Sequence, residues 1–184
     1  MLQPFRPLLL SWTQRGEMGT LTGADQVASP PALAGESLFC GIYVNELLIR
    51  FLQRSDPHPG LFDDYRGLLG ELAATDAPQP ALRLFELRLL EAAGFALQLE
   101  REHGGEEPIV PGRRYLFLPE AGAVRREAGP EGDEELVSGE ALLALRDGVI
   151  EAAHQRELKY LMRRLIRYHL GDRPLKSQSL FVGS

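Results

Sequence analysis

The sequence predicts a mostly α-helical fold, a central helical bundle preceded by a β-hairpin and carrying a second, small inserted β-hairpin. Three observations predict it. Apolar residues between Leu38 and Ala93 keep a 3.6-residue rhythm in three stretches joined by short Pro-rich connections. Two other regions, within residues 2–29 and 115–125, carry strand-like runs on either side of Gly-containing turns. The last long amphipathic stretch, Leu158 to Leu170, ends at Gly171 with Pro174 three residues beyond, a helix stop followed by a semi-apolar tail.

Taken in order, Phe5–Trp12 and Met18–Thr22 read as strands around the turn Thr13-Gln14-Arg15-Gly16. Two strands alone are marginal and need cover from other elements, so Trp12 is expected in the core of the hairpin rather than as an exposed stacking platform. Ser29-Pro30-Pro31 ends this region. In the first helix, Leu38, Phe39, Ile42, Leu47, Leu48, Phe51 and Leu52 cover so much of the circumference that burial on several sides is expected. Asn45 and Glu46 interrupt that apolar run. A polar pair there must find hydrogen-bonding partners to offset its desolvation, and a structural polar lock is the preferred reading over a catalytic acid.

Asp56-Pro57-His58-Pro59 breaks the chain before a second helix marked by Leu61, Phe62, Tyr65, Leu68, Leu69 and Leu72. The third spans about Pro80 to Ala93, with Gly94 placed as the residue just past its end. Tyr115–Leu118 and Ala123–Arg125 then form the inserted hairpin. Gly- and Glu-rich flanks at 103–107 and 129–135 bound it, and these are expected to be mobile. Ser138 N-caps a short helix through Leu142, Leu143 and Leu145, and the long basic helix follows Gly148.

Composition argues against a disordered chain, with 44% hydrophobic and 25% charged residues. The single cysteine, Cys40, lies in an apolar helical run. It is expected as a buried reduced thiol, which permits neither a disulfide framework nor a Cys-x-x-Cys metal site. No apolar stretch approaches a membrane span and the N-terminus lacks the sections of a signal peptide, so no membrane partner and a cytoplasmic location are expected.

Charge is segregated. The net charge is −6, yet His154 to Ser184 holds seven Lys and Arg against two acidic residues. On a helical wheel Leu158, Leu161, Met162, Leu165 and His169 fall on one side, and Arg156, Lys159, Arg163 and Arg167 on the other. One face packs and the other is open to an anionic partner, or serves solubility as an ordinary solvated face. Arg173 and Lys176 continue the basic character into the tail.

Catalytic motifs are absent. The sequence has no glycine-rich phosphate loop, no His-Glu-x-x-His and no Gly-x-Ser-x-Gly, and His58, His103, His154 and His169 are scattered. Glu102-His103 with Glu106-Glu107 reads better as an acidic surface loop than as a metal site. No enzyme, no metal and no cofactor are expected.

Five segments carry a family resemblance: Leu2-Gln3-Pro4-Phe5; Arg15-Gly16-Glu17 with Leu21-Thr22-Gly23-Ala24; Gly41 to Leu48; Leu82 to Leu87; and Leu170 to Ser177. In that order they resemble the bacterial recombination mediators of the RecO family. The resemblance implies an N-terminal OB-fold, a central helical bundle with a small inserted subdomain, and a C-terminal helix packed back on the bundle. Residues 1–29 would then be a partial OB-fold, its closing hairpin, and 30–184 the helical domain, with an insert at about 95–136. The family's first barrel strands have no counterpart here, which is expected to reflect either a late start or a truncated chain. Some members carry a four-cysteine zinc site in the insert, but Leu99 to Arg126 contains no cysteine, so a zinc-free insert is expected.

The implied work is DNA repair and recombination in response to DNA damage. It comprises binding of single- and double-stranded DNA, strand annealing, contact with the C-terminal tail of the single-stranded-DNA-binding protein, and loading of RecA together with RecR. Arg156, Lys159, Arg163, Arg167, Arg173 and Lys176 are the candidate DNA contacts, by sequence-independent phosphate neutralisation. Arg83, beside Leu82 and Phe85, is the candidate rim of an apolar pocket for the tail carboxylate; a surface Arg83 pairing with Glu86 or Asp63 is the alternative. The second functional reading is a helical scaffold that binds protein only, DNA binding being lost with the barrel strands; the negative net charge favours it.

Overall fold

The computed structural model describes residues 2–16, 18–54, 56–126, 135–171 and 174–177 of the chain. Strands β1 (Leu8–Arg15) and β2 (Met18–Gln26) form an antiparallel hairpin, with a register shift between Ser11 and Trp12. Strand β1 is displaced toward the C-terminus of its expected bounds, β2 runs on past Thr22 to Gln26, and the turn sits later than expected. Trp12 departs from expectation as well. It is 63% exposed, and Leu9, Leu10 and Leu21 are exposed with it, because a two-stranded ribbon gives an inward face nothing to pack on among the described residues. Where the chain leaves the ribbon it runs over the first helix, and a Cβ added at Gly41 would stand 3.0 Å from Phe5 and Leu33.

Helices α1 (Gly35–Phe51), α2 (Pro59–Ala74) and α3 (Gln79–Ala92) form the bundle. Proline opens both α2 and α3, where its missing N–H costs nothing. Cys40, Tyr43, Val44 and Leu47 from α1 meet Leu61, Leu68 and Leu72 from α2 and Leu82, Phe85, Leu89 and Leu90 from α3. Each fully buried Leu of this set contributes about 1.5–3 kcal/mol by leaving water. Gly94 ends α3 as expected, at φ +86°, with the Phe95 N–H on the Leu90 carbonyl at 2.8 Å and the Gly94 N–H on Glu91 at 3.0 Å.

The insert holds one strand more than expected. Strand β3 (Arg114–Leu118) pairs with β4 (Gly122–Arg126) and also with β5 (Leu136–Ser138), giving the order β4-β3-β5. Its inward residues Tyr115, Phe117, Ala123 and Val137 join the core of the helices. The flank Gly129–Glu134 lies outside the described residues. The Ser138 hydroxyl accepts the Ala141 N–H and caps α4 (Gly139–Asp147), as its position predicted. Gly139 is required for another reason: a Cβ there would lie 2.1 Å from the Val110 carbonyl oxygen. After Gly148, in the left-handed region, one 3-10 turn (Ala152–His154) leads into α5 (Gln155–Leu170). None of the helices among the described residues is long and apolar enough to cross a membrane.

Candidate nucleic-acid interface

Helix α5 buries Leu158, Leu161, Met162, Leu165 and Ile166 against α3, α4 and β5. That stripe turns the opposite face outward by periodicity alone. Arg156, Lys159, Arg163 and Arg167 are all exposed there, and none forms an ion pair with a described residue. The structure thus gathers four of the six predicted basic residues on one solvent-facing surface. Along the axis, Arg156 and Arg167 are about 16 Å apart at 1.5 Å per residue.

The other two lie elsewhere. Arg173 is outside the described residues. Lys176 is exposed, but its segment docks on α1 rather than continuing along α5. The Glu46 carboxylate accepts the Lys176 N–H at 3.0 Å, and the Ser177 N–H and hydroxyl at 2.8 and 2.7 Å. Arg50 adds an ion pair to Glu46 at 3.2 Å and donates to the Pro174 carbonyl. Burial works to raise the Glu46 pKa, but the hydrogen bonds from Ser177 and Lys176 outweigh it and hold the carboxyl below its ordinary value. Asn45 accepts the Tyr65 hydroxyl at 2.7 Å. The polar lock expected of Asn45 and Glu46 is therefore present, one residue tying α1 to α2 and the other tying α1 to the tail.

Arg83 departs from the expected rim. With Leu82 and Phe85 it is buried, its side chain 4% exposed, and it pairs with the fully buried Glu86 at 2.8 Å. The contact is an ion pair rather than an aligned hydrogen bond. The Tyr43 hydroxyl donates to the second oxygen of Glu86 at 2.7 Å. Burial raises the Glu86 pKa, partly countered by Arg83, Tyr43 and, from α5, Arg163. The Glu86 partner was foreseen, but as a surface pair. Helix α3 instead faces the core with this charge pair, and the Arg83 side chain is almost wholly withdrawn from solvent.

Three side chains around α5 were not singled out from sequence. Arg164 donates to the carbonyls of Phe117 at 2.8 Å and Glu135 at 3.0 Å, clamping the inserted sheet to the helix. Burial lowers its pKa. Glu157 accepts the Ser138 N–H and hydroxyl at 2.8 and 2.7 Å, a second clamp. Tyr160 is 45% exposed, with the Arg156 guanidinium 5.8 Å from its ring centre. The available signal was spacing: Arg156, Tyr160, Arg163 and Arg167 stand at i, i+4, i+7 and i+11, one stripe on a helix. The loop carboxylate Glu102 accepts from Tyr115 at 2.9 Å and from Arg125 at 2.6 Å, a structural use of that acidic segment.

The family model described as the C-terminal part of recombination protein O matches residues 33–179. The DNA repair protein RecO of Methylococcus capsulatus is 48% identical over 186 residues, covering 100% of this chain and 75% of its own length. Those of Halorhodospira halophila and Nitrosococcus oceani are 44% and 45% identical, each over 98% of this chain and 77% and 73% of their own. With the domain match and these identities along nearly its whole length, the chain belongs to the RecO family of DNA repair proteins.

Proposed function

We propose that the chain acts as a RecO-type mediator in the cytoplasm, associated with the nucleoid. In this reading it binds single- and double-stranded DNA without sequence preference, contacts the tail of the single-stranded-DNA-binding protein, and with RecR promotes RecA loading and strand annealing. The observation that carries it is the α5 face, four exposed cations without carboxylate partners among the described residues of a protein that is acidic overall. Phosphate neutralisation needs such cations and nothing more. The β1–β2 hairpin is read as the closing hairpin of an OB-fold, and its exposed apolar residues are what such a piece presents. No step of this work calls for a catalytic residue.

A second reading, a helical scaffold that binds protein only, is favoured by the negative net charge and by one feature of the structure. Between α1 and α2 lies a groove of about 460 Å³ lined by Leu48, Ile49, Leu52, Leu61 and Phe62, with Ile49 and Phe62 exposed. The salt dependence of strand binding separates the two. If the four α5 cations each reach a phosphate, the log–log slope on single strands is roughly −3, at about 0.7 per contact. Reversing Arg163 and Arg167 to Glu flattens it and leaves helix content unchanged. A slope and affinity untouched by the double reversal would remove DNA from this face and leave the scaffold.

A further inference from the structure

We propose that Tyr160 is a base-stacking platform, by which the basic face of α5 takes single strands through their bases as well as their phosphates. The proposal rests on the reading of that face as a phosphate-binding surface. Its own support is the placement of one aromatic ring inside a stripe of arginines. Tyr160 lies one turn after Arg156 and one turn before Arg163, and nearly half of its surface is open to solvent. Tyrosine has no need to be exposed on a helix that buries five apolar residues on its opposite side. A backbone held by the flanking arginines would pass its bases over this ring.

The surroundings fix which part of a strand goes where. Arg156 sits over the ring at a cation–π distance, so a positive charge and an aromatic face are offered together. On its other flank Tyr160 lines a cleft of about 210 Å³ between α5 and β5, bounded by Leu136, Val137, Leu161, Glu135, Glu157 and Arg164. The Arg164 guanidinium is taken up by the Phe117 and Glu135 carbonyls, so the apolar walls and carboxylates that remain suit the flat, uncharged body of a base better than a phosphate. The backbone is thereby directed to the arginine side and the bases to the cleft side. In a duplex the bases are already stacked, so the ring has nothing to add there.

The experiment uses the full chain, an oligothymidylate, an abasic deoxyribose-phosphate strand of equal length, and a duplex. Expected for Tyr160→Ala is a loss of roughly 5- to 150-fold in affinity for oligothymidylate, the range measured for single stacking aromatics. The abasic strand, the duplex and the salt slope remain as in the wild type. Tyr160→Phe keeps the ring and binds like the wild type; Tyr160→Leu keeps apolar bulk without it and behaves as Ala. Equal loss on the abasic strand, or loss in the Phe variant, overturns the stacking role while the phosphate reading survives. If Arg163→Glu with Arg167→Glu changes binding to none of the three, the phosphate reading falls and this proposal with it.

Discussion

The carboxylate of Glu46 accepts both the backbone N–H and the hydroxyl of Ser177, at 2.8 and 2.7 Å, across 131 residues of chain. Two of the segments that carry the family resemblance, Gly41 to Leu48 and Leu170 to Ser177, are thus partners. Leu175, buried beside this contact, joins the core as a result. Glu46→Ala removes a charged acceptor from four donors, the Lys176 N–H, the Ser177 N–H and hydroxyl, and Arg50, and is expected to cost on the order of 2 kcal/mol. It should also release the tail, read as fast amide exchange at Leu175–Ser177 and new proteolytic cleavage there. Because the folded Glu46 pKa is depressed, this contribution is full above the unfolded value and is lost as pH falls through the folded one.

Arg83 and Glu86 give a second expectation, with opposite outcomes for single and paired changes. Arg83→Ala leaves Glu86 buried without its counter-charge and is expected to destabilise by about 3–5 kcal/mol. Arg83→Met combined with Glu86→Leu removes both charges at similar volume and is expected to recover part of that loss, the Tyr43 hydroxyl having lost its Glu86 acceptor. Denaturant midpoints of the single and double variants test this directly. An effect of Arg83 substitutions on peptide binding has to be read beside these midpoints, since the side chain holds the bundle together.

The helices were legible because their apolar residues recur at 3.6-residue spacing and their stops are written in Gly and Pro; Gly94 and Gly148 sit where the pattern put them. The basic face was legible for the same reason. What stayed hidden depends on contacts between distant segments. Glu46 and Ser177 each look polar and local, and nothing in either segment names the other. Strand β5 is only three residues long, below the length at which alternation registers. The burial of Arg83 runs against the default that arginine is exposed. A signal did exist, because Glu86 falls in the apolar arc that Leu82, Leu89 and Leu90 define on the helical wheel, and a carboxylate there must bring a cation inside with it. Trp12 was misjudged because alternation shows which strand residues share a face but not whether anything covers it.

Cys40 offers a probe of these losses. It is fully buried, and burial together with the charge of Glu36 pushes its thiol up to about 12. Since the thiolate is the reactive form, labelling by a disulfide reagent at pH 8 is expected to be negligible in the native protein. Rapid labelling should follow denaturation. In Arg83→Ala the rate should rise in proportion to the population of opened bundle, whereas Glu46→Ala, acting on the tail, should raise it less. Native labelling as fast as in denaturant would place Cys40 at the surface and contradict the packing of α1.

His169 sets a pH dependence. Its ring stacks on Phe95, with centres 4.1 Å apart and planes 20° from parallel, and Phe95 in turn meets Phe51 edge-on at 6.3 Å. The ends of α1, α3 and α5 are joined through these three rings. Burial lowers the His169 pKa, only partly opposed by the charge of Glu120, which the Tyr168 hydroxyl holds nearby at 2.7 Å. Between the depressed folded value and the unfolded value near 6.5 the unfolded chain binds the extra proton, so stability rises with pH across that window. The His169 contribution is therefore complete above about pH 6.5 and is lost as the solution is acidified toward the folded pKa. The comparison that isolates His169 is His169→Phe, which keeps an aromatic ring against Phe95 and removes the proton. Melting temperatures followed from pH 8 to pH 5 should fall less steeply in this variant than in the wild type. Parallel curves would mean that His169 titrates alike in the folded and unfolded chains, and that the stack on Phe95 does not oppose its protonation.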